Sequence, residues 1–214
     1  MMPTLISYIT FAMVTSQMLA IAVPTPQVLG QEQMSLADRY PVASVNDVFK
    51  DNILLSLAYL RGAQKHGEPV DWQAVEKPFS YSFVLQPNEV FAFHKDVLPQ
   101  FEGKVVKTMD SSFGGTDGYK SDGYLYGDGV CHMASILNWA ARDAGLAVVA
   151  PTPHDFAVIP DIPRQYGTAI YFDPNSSGSN AEQNLYIQNT KDKPVTFTLS
   201  YENNSLQVNI TENN

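Results

Sequence analysis

The chain has 214 residues, of which 44% are hydrophobic and 16% charged, with a formal charge of −9 and one cysteine. That length and apolar fraction suit one domain with a real core and exclude a disordered chain. The acidic balance and the lack of any Lys- or Arg-rich run argue against a nucleic-acid or anionic-membrane partner, and a single thiol excludes an internal disulfide.

Leu5 to Val23 is free of charge and is followed by Pro24, Pro26 and a small-residue cleavage site at Val28-Leu29-Gly30. Residues 1–30 therefore read as an export signal or, being nearly long enough to span a bilayer, as a retained anchor. The expected location is extracellular or envelope-associated, with any membrane contact confined to this segment. An exported chain with one thiol needs a reason to keep it, and nucleophilic catalysis is such a reason.

Residues 31–78 read as a polar linker and an N-terminal helix. Ser44-Val45-Asn46-Asp47 resembles a capping box, and Val45, Phe49, Ile53, Leu57 and Leu60 recur on one helical face as far as Lys65-His66-Gly67. Phe79 to Leu85 alternates as a half-buried strand, Gln86-Pro87-Asn88 is a turn, and Glu89 to Phe93 resumes extended structure. Ser111 to Gly129 is a long loop rich in Gly, Asp and Tyr, and loops of that length tend to be functional.

A second helix begins near Cys131, turns Met133, Ile136, Leu137, Ala140, Ala141 and Ala144 toward a core, and ends at Gly145. Short apolar runs at 146–150, 157–159 and 168–172 read as strands, and 184–188, 195–201 and 206–210 as a β-meander. The expected class is α+β: a central cysteine-bearing helix on a mostly antiparallel sheet, with an N-terminal helix and a C-terminal β-meander.

Cys131 is the leading nucleophile. A helix start offers unpaired N–H groups and the positive dipole end, and both favour thiolate. Gly129 beside it lets a substrate backbone approach. Without that context a lone cysteine is a small buried hydrophobe.

Of the four histidines, His154 is the best general base, since it lies where the chain returns from the cysteine helix. His132 diverges from Cys131 by about 100° around the helix and is better placed to face substrate. His66 and His94 read as ordinary satisfied histidines. The orienting third group is left open among Asp155, Asp161, Asp173 and Asn184. Asp128 would raise the thiol pKa unless it points away, and it could instead bind a substrate amine. No ligand spacing for zinc or calcium is present, so no metal or other cofactor is expected.

Leu85 to Phe93, Gly118-Tyr119, Gly127-Asp128-Gly129-Val130-Cys131-His132, Ala144-Gly145-Leu146, His154, Tyr166-Gly167 and Asn184 to Asn189 together resemble the ordered landmarks of the VanW-like family over about residues 45–210. Residues 79–214 would form the VanW-like domain. Asp128 and Asn88 stand where the family usually has glycine and His132 where it has glutamine, which marks a divergent branch. The family is associated by name with glycopeptide-resistance clusters and with bacterial cell envelopes, and some members are L,D-transpeptidases.

The resemblance implies that Cys131 attacks a peptidoglycan stem-peptide carbonyl, with His154 as base and then acid. N–H groups near Gly129, Val130 and His132 would hold the oxyanion, and Asp128 and Tyr126 would contact substrate. Tyr119 and Tyr124 either line the same groove or simply pack the loop. The expected state is a monomer with stem peptides as partner. Two alternatives remain: an NlpC-type peptidoglycan endopeptidase, in which water resolves the acyl-enzyme, and a non-catalytic wall-binding or scaffolding domain.

Overall fold

A computed structural model describes residues 26–175 and 179–212, so the apolar run at 5–23 lies outside the described residues. The chain forms strand β1 (Gln27–Ser35), helix α1 (Ala43–Leu60), a short helix α2 (Trp72–Val75), and strands β2 (Phe79–Leu85), β3 (Val90–Ala92) and β4 (Val105–Lys107). Helix α3 (Val130–Asp143) then leads to β5 (Ala147–Val149), β6 (Tyr186–Gln188), β7 (Val195–Glu202) and β8 (Ser205–Glu212). The class is α+β, with α3 at its centre. Among the described residues no helix is long and apolar enough to cross a membrane.

Two sheets result, in the orders β1-β8-β7-β2 and β4-β3-β6-β5, antiparallel throughout except for β3 with β4. The expected meander is therefore divided. β7 and β8 form a hairpin closed by Asn203 and Asn204, both left-handed as a two-residue turn requires. β6 goes instead to the second sheet. Its Tyr186 and Ile187 are both fully buried, so it is covered on two faces and lacks the one-sided alternation of Val195, Phe197, Leu199 and Tyr201. Asn189 fixes the change of direction by donating to the carbonyls of Leu85 and Lys193.

Helix α1 starts one residue before the expected cap, at Ala43, and Val42 provides no side-chain cap. Asn46 does the work expected of Ser44: its Oδ1 accepts from the amides of Arg39 and Tyr40 and its Nδ2 donates to Leu36, which ties down the entering chain. From Asp51 to Leu60 every residue of α1 is buried, so the single apolar face read from spacing understates its burial. Both long helices end in Schellman turns, with Gly62 and Gly145 left-handed and the amides of Ala63 and Leu146 reaching back to Ala58 and Ala141.

Strand β1 runs through residue 30. Residues 31–35 are not linker, because they belong to β1, which pairs with β8 along its length. Gly30 packs against α3, where a Cβ would lie 2.5 Å from the carbonyl oxygen of Ala140. The core is one body shared by α1, α3 and the first sheet, while Val90, Ala92, Phe101 and Tyr186 form a smaller cluster on the second. A run of ring contacts, Phe197 to Phe83 to Phe91 to Phe93 to Phe113, at centroid distances of 4.9, 5.7, 6.4 and 5.5 Å, joins the first sheet to the loop that precedes α3. Burial of such side chains contributes ~1.5–3 kcal/mol each and anchors that loop from beneath.

Candidate functional site

The chain reaches α3 through Gly127 and Gly129, both left-handed at φ +82° and +96°. A Cβ on Gly129 would lie 2.5 Å from the carbonyl oxygen of Phe49 and one on Gly127 2.8 Å from that of Phe113, so close approach as well as backbone conformation demands glycine. Asp128 between them is not left-handed, and a side chain fits there. Asn52 of α1, fully buried, accepts from the amide of Lys120 at 2.8 Å and donates to the carbonyls of Lys120 and Asp128 at 3.0 Å each. This one side chain clamps both ends of the loop.

Cys131 is the second residue of α3, and Gly129 at the cap offers no side-chain acceptor. The Val130 amide donates to the Gly127 carbonyl at 3.0 Å, and the N–H groups of Cys131 and His132 precede the first intrahelical bond and point out of the helix start. The thiol faces the segment 166–170: its Sγ accepts from the Ile170 amide at 3.3 Å and donates to the Ile170 carbonyl at 3.7 Å. The same helix face continues the stitching. Ser135 accepts from the Thr168 amide, and Asn138 donates to the Tyr166 carbonyl and to the Thr168 hydroxyl, each at 2.9 Å. Although the residue as a whole keeps intermediate exposure, burial of the sulfur pushes its pKa up to about 11, and the Asp128 carboxylate adds to that rise. The thiol is protonated at neutral pH, and the helix start does not overcome desolvation.

His132 and His154 lie against each other, edge to face, with centroids 6.2 Å apart. His132 also meets Phe49 at 5.0 Å and His154 meets Phe156 at 4.0 Å. Both are buried, and among the described residues the Nδ1 of each has no hydrogen-bond partner. Burial first, then the charges of Arg39 and His154, drive His132 down to about 3. Burial also lowers His154, so both rings are neutral. Among the described residues Cys131 and His154 share no hydrogen bond; the structure pairs His154 with His132 and the thiol with a backbone.

A family model described as VanW like protein matches residues 81–211. The chain belongs to the VanW-like family. No curated protein and no solved structure matches it. The matched region begins within β2, so β1 and α1, which supply Gly30, Asn46, Phe49 and Asn52, lie outside it yet complete the core of this VanW-like chain.

Among the described residues no hydrogen bond joins any of the four expected orienting groups to the His154 ring. Asp155 is the one whose charge acts on His154, raising its pKa, while its carbonyl holds Arg164. Asp161 pairs with the buried Arg39. Asp173 accepts from the Asn175 amide in its own turn, and Asn184 is consumed by His94, Asp96 and Leu185. Asp128 is pushed up to about 6, by burial first and then by Asp122. Among the described residues no three His, Cys, Asp or Glu side chains form a group able to hold a metal ion.

Tyr119 is buried, bonded to Ser56 and Ser111, and lines no groove. Tyr124 is 91% exposed at the loop tip. Tyr126 walls a cleft of about 220 Å³ together with Phe113, Gly127, Val130, Ile170 and Phe172. The thiol lies behind this wall, at the backbone of Ile170. Sequence reasoning missed Asn52, Ser135 and Ile170. Polar residues at 52 and 56 within an apolar helix were the signal for the first, whereas Ile170 acts through its backbone and leaves no signal.

Proposed function

We propose that this VanW-like protein works in the bacterial cell envelope, exported by its N-terminal segment, and takes a peptidoglycan stem peptide into the cleft beside α3 for acyl transfer of the L,D-transpeptidase type. The observation that carries the reading is the place of Cys131: second residue of an uncapped helix start, directly behind a peptide-sized cleft, approached through two glycines that only glycine can fill. A bound peptide would take over the Ile170 hydrogen bonds and uncover the sulfur. Catalytic hydrogen bonds commonly form only in the substrate complex.

In that complex the thiol proton passes to the neutral imidazole of His154 as Sγ bonds to the peptide carbonyl carbon. The carbonyl oxygen gains negative charge against the N–H groups at Cys131 and His132. The C–N bond then breaks, the leaving amine takes the proton from His154, and a thioester remains. An amine of a second stem attacks the thioester, its proton returns through His154 to sulfur, and the new amide is the cross-link. Water in place of that amine would make the protein an endopeptidase.

A second reading has its own observation. The protonated thiol, bonded on both sides to Ile170 and, among the described residues, hydrogen-bonded to no imidazole, suits a wall-binding domain in which Cys131 fastens residues 166–170 to α3. Mass spectrometry of stem peptides incubated with the protein, beside Cys131→Ala, separates the readings. Cross-linked or exchanged products that require Cys131 support transfer, and shortened peptides alone support hydrolysis. Peptide binding without any product supports the wall-binding domain.

A further inference from the structure

A second cavity, of about 240 Å³, adjoins the cleft, for Ser112 and Phe172 line both. Its remaining walls bring together both signs of charge. Lys95 extends from the turn after β3, and its ammonium lies 5.5 Å from the centre of the Phe172 ring. Asp110 and Asp117 come from the loop after β4, and His66 from the end of α1.

These charges are not equally committed. Asp117 accepts from the amide and hydroxyl of Ser112 and from His66 at 3.0 Å, so both its oxygens are satisfied. Asp110 is different: its side chain is 78% exposed and, among the described residues, forms an ion pair only with His66, at 3.5 Å. It is also held in a left-handed backbone conformation, φ +52°, which aspartate adopts at a cost and which marks places where surrounding structure dictates the chain path. Lys95 forms no ion pair among the described residues. One cavity thus carries one loosely held carboxylate, an ammonium without an ion pair among the described residues and an aromatic wall, and it lies beside the cleft in front of Cys131.

We propose that this cavity is a subsite for the zwitterionic α-amino-carboxylate end of an amino acid or stem-peptide side branch, its amine on Asp110 and its carboxylate on Lys95. Opposite charges set on one small cavity favour a group carrying both, because a ligand with only one of them forms only one of the two charge-assisted hydrogen bonds. The Phe172 ring, which the Lys95 ammonium overlies, would pack against a short apolar stem. The volume suits one residue. The proposal rests on the stem-peptide reading for its biological ligand, but it makes its own prediction for free amino acids.

The test is a titration of the full-length Cys131→Ala chain with D-alanine, L-alanine, N-acetyl-D-alanine and D-alaninamide, followed by backbone amide chemical shifts. Saturable shifts at Lys95, Asp110, Ser112 and Phe172 with at least one alanine enantiomer are expected, and masking the amine or the carboxylate should weaken binding about tenfold or more. Asp110→Asn and Lys95→Ala should each do the same with melting unchanged, since both residues are exposed and asparagine tolerates the left-handed backbone. Absence of saturable shifts, or equal binding of the masked ligands, overturns the proposal. No bond is made in this assay. Stem peptides that yield no product would therefore sink the transfer reading and leave the subsite standing, whereas failed binding here would remove the subsite and leave transfer untouched.

Discussion

The Cys131 sulfur and the Ile170 backbone hold each other in both directions, the amide donating at 3.3 Å and the carbonyl accepting at 3.7 Å. Burial, with Asp128 adding to it, places the thiol pKa at about 11. Alkylation by iodoacetamide should therefore be slow at neutral pH and climb roughly tenfold per pH unit toward 11, because only thiolate reacts. Under the transfer reading a stem peptide should raise the rate of acylation at neutral pH without a matching rise in alkylation of the free protein. A resting thiol that alkylates fully near pH 6 would show that the Ile170 lock is not the solution state.

Gly30 meets α3 so closely that a Cβ would lie 2.5 Å from the Ala140 carbonyl oxygen and 3.0 Å from the Ala144 amide. Both neighbours are helix backbone and cannot swing aside. Gly30→Ala should cost ~1–3 kcal/mol, as overpacking does, and lower the melting temperature by roughly 2–4 °C per kcal/mol. A chain beginning at residue 31 should melt lower than one beginning at 26, since it removes the β1–β8 pairs at Gln27, Val28 and Gly30. Thermal denaturation of the three decides it.

Where one residue's own neighbours determine its structure, the sequence was legible. The α3 start at the glycines, its end at Gly145 and the alternation of β7 and β8 all rest on local propensity and period. What failed was long-range. β6 left the meander because of burial on both faces, and β1 was hidden because its exposed Gln27, Gln31 and Gln33 lie on a sheet edge whose neighbour is β8. At the site, Cys131 lies in the first turn of α3 as its sequence position suggests, but its neighbour across the fold is a backbone, and the expected imidazole meets His132 edge to face. Which histidine meets which group depends on how segment 166–170 docks on α3, and no spacing encodes that.

Asn52 is the clamp of the loop that leads to Cys131, with three hydrogen bonds to backbone groups at Lys120 and Asp128. Asn52→Ala leaves those groups without their partner and should cost about 1–3 kcal/mol. Loosening should be local as well as global. Hydrogen exchange at the Lys120 amide, which donates to Asn52, should accelerate more than exchange in β7 and β8. Equal acceleration everywhere would mean that the clamp only adds to global stability.

His66 links the end of α1 to the loop after β4 through Asp117 at 3.0 Å and Asp110 at 3.5 Å, with the Tyr59 ring 5.2 Å away. The Asp117 hydrogen bond, opposed by partial burial, raises the His66 pKa. Burial pushes the Asp117 carboxyl up, but Ser112 and His66 outweigh it and hold it below its usual value. A raised histidine contributes stability in full below its unfolded pKa of about 6.5 and loses it as pH rises through the folded value. The lowered carboxyl contributes above about 3.9 and loses its share as pH falls through its folded value. The pair is therefore strongest between about pH 4 and 6.5. His66 is half exposed, so the effect is screened to less than about 1 kcal/mol. His66→Ala should destabilise the chain at pH 5.5 and be nearly neutral at pH 8.5, measured by urea unfolding at both. A larger loss at pH 8.5 would mean that His66 acts through packing on Tyr59 and not through its charge.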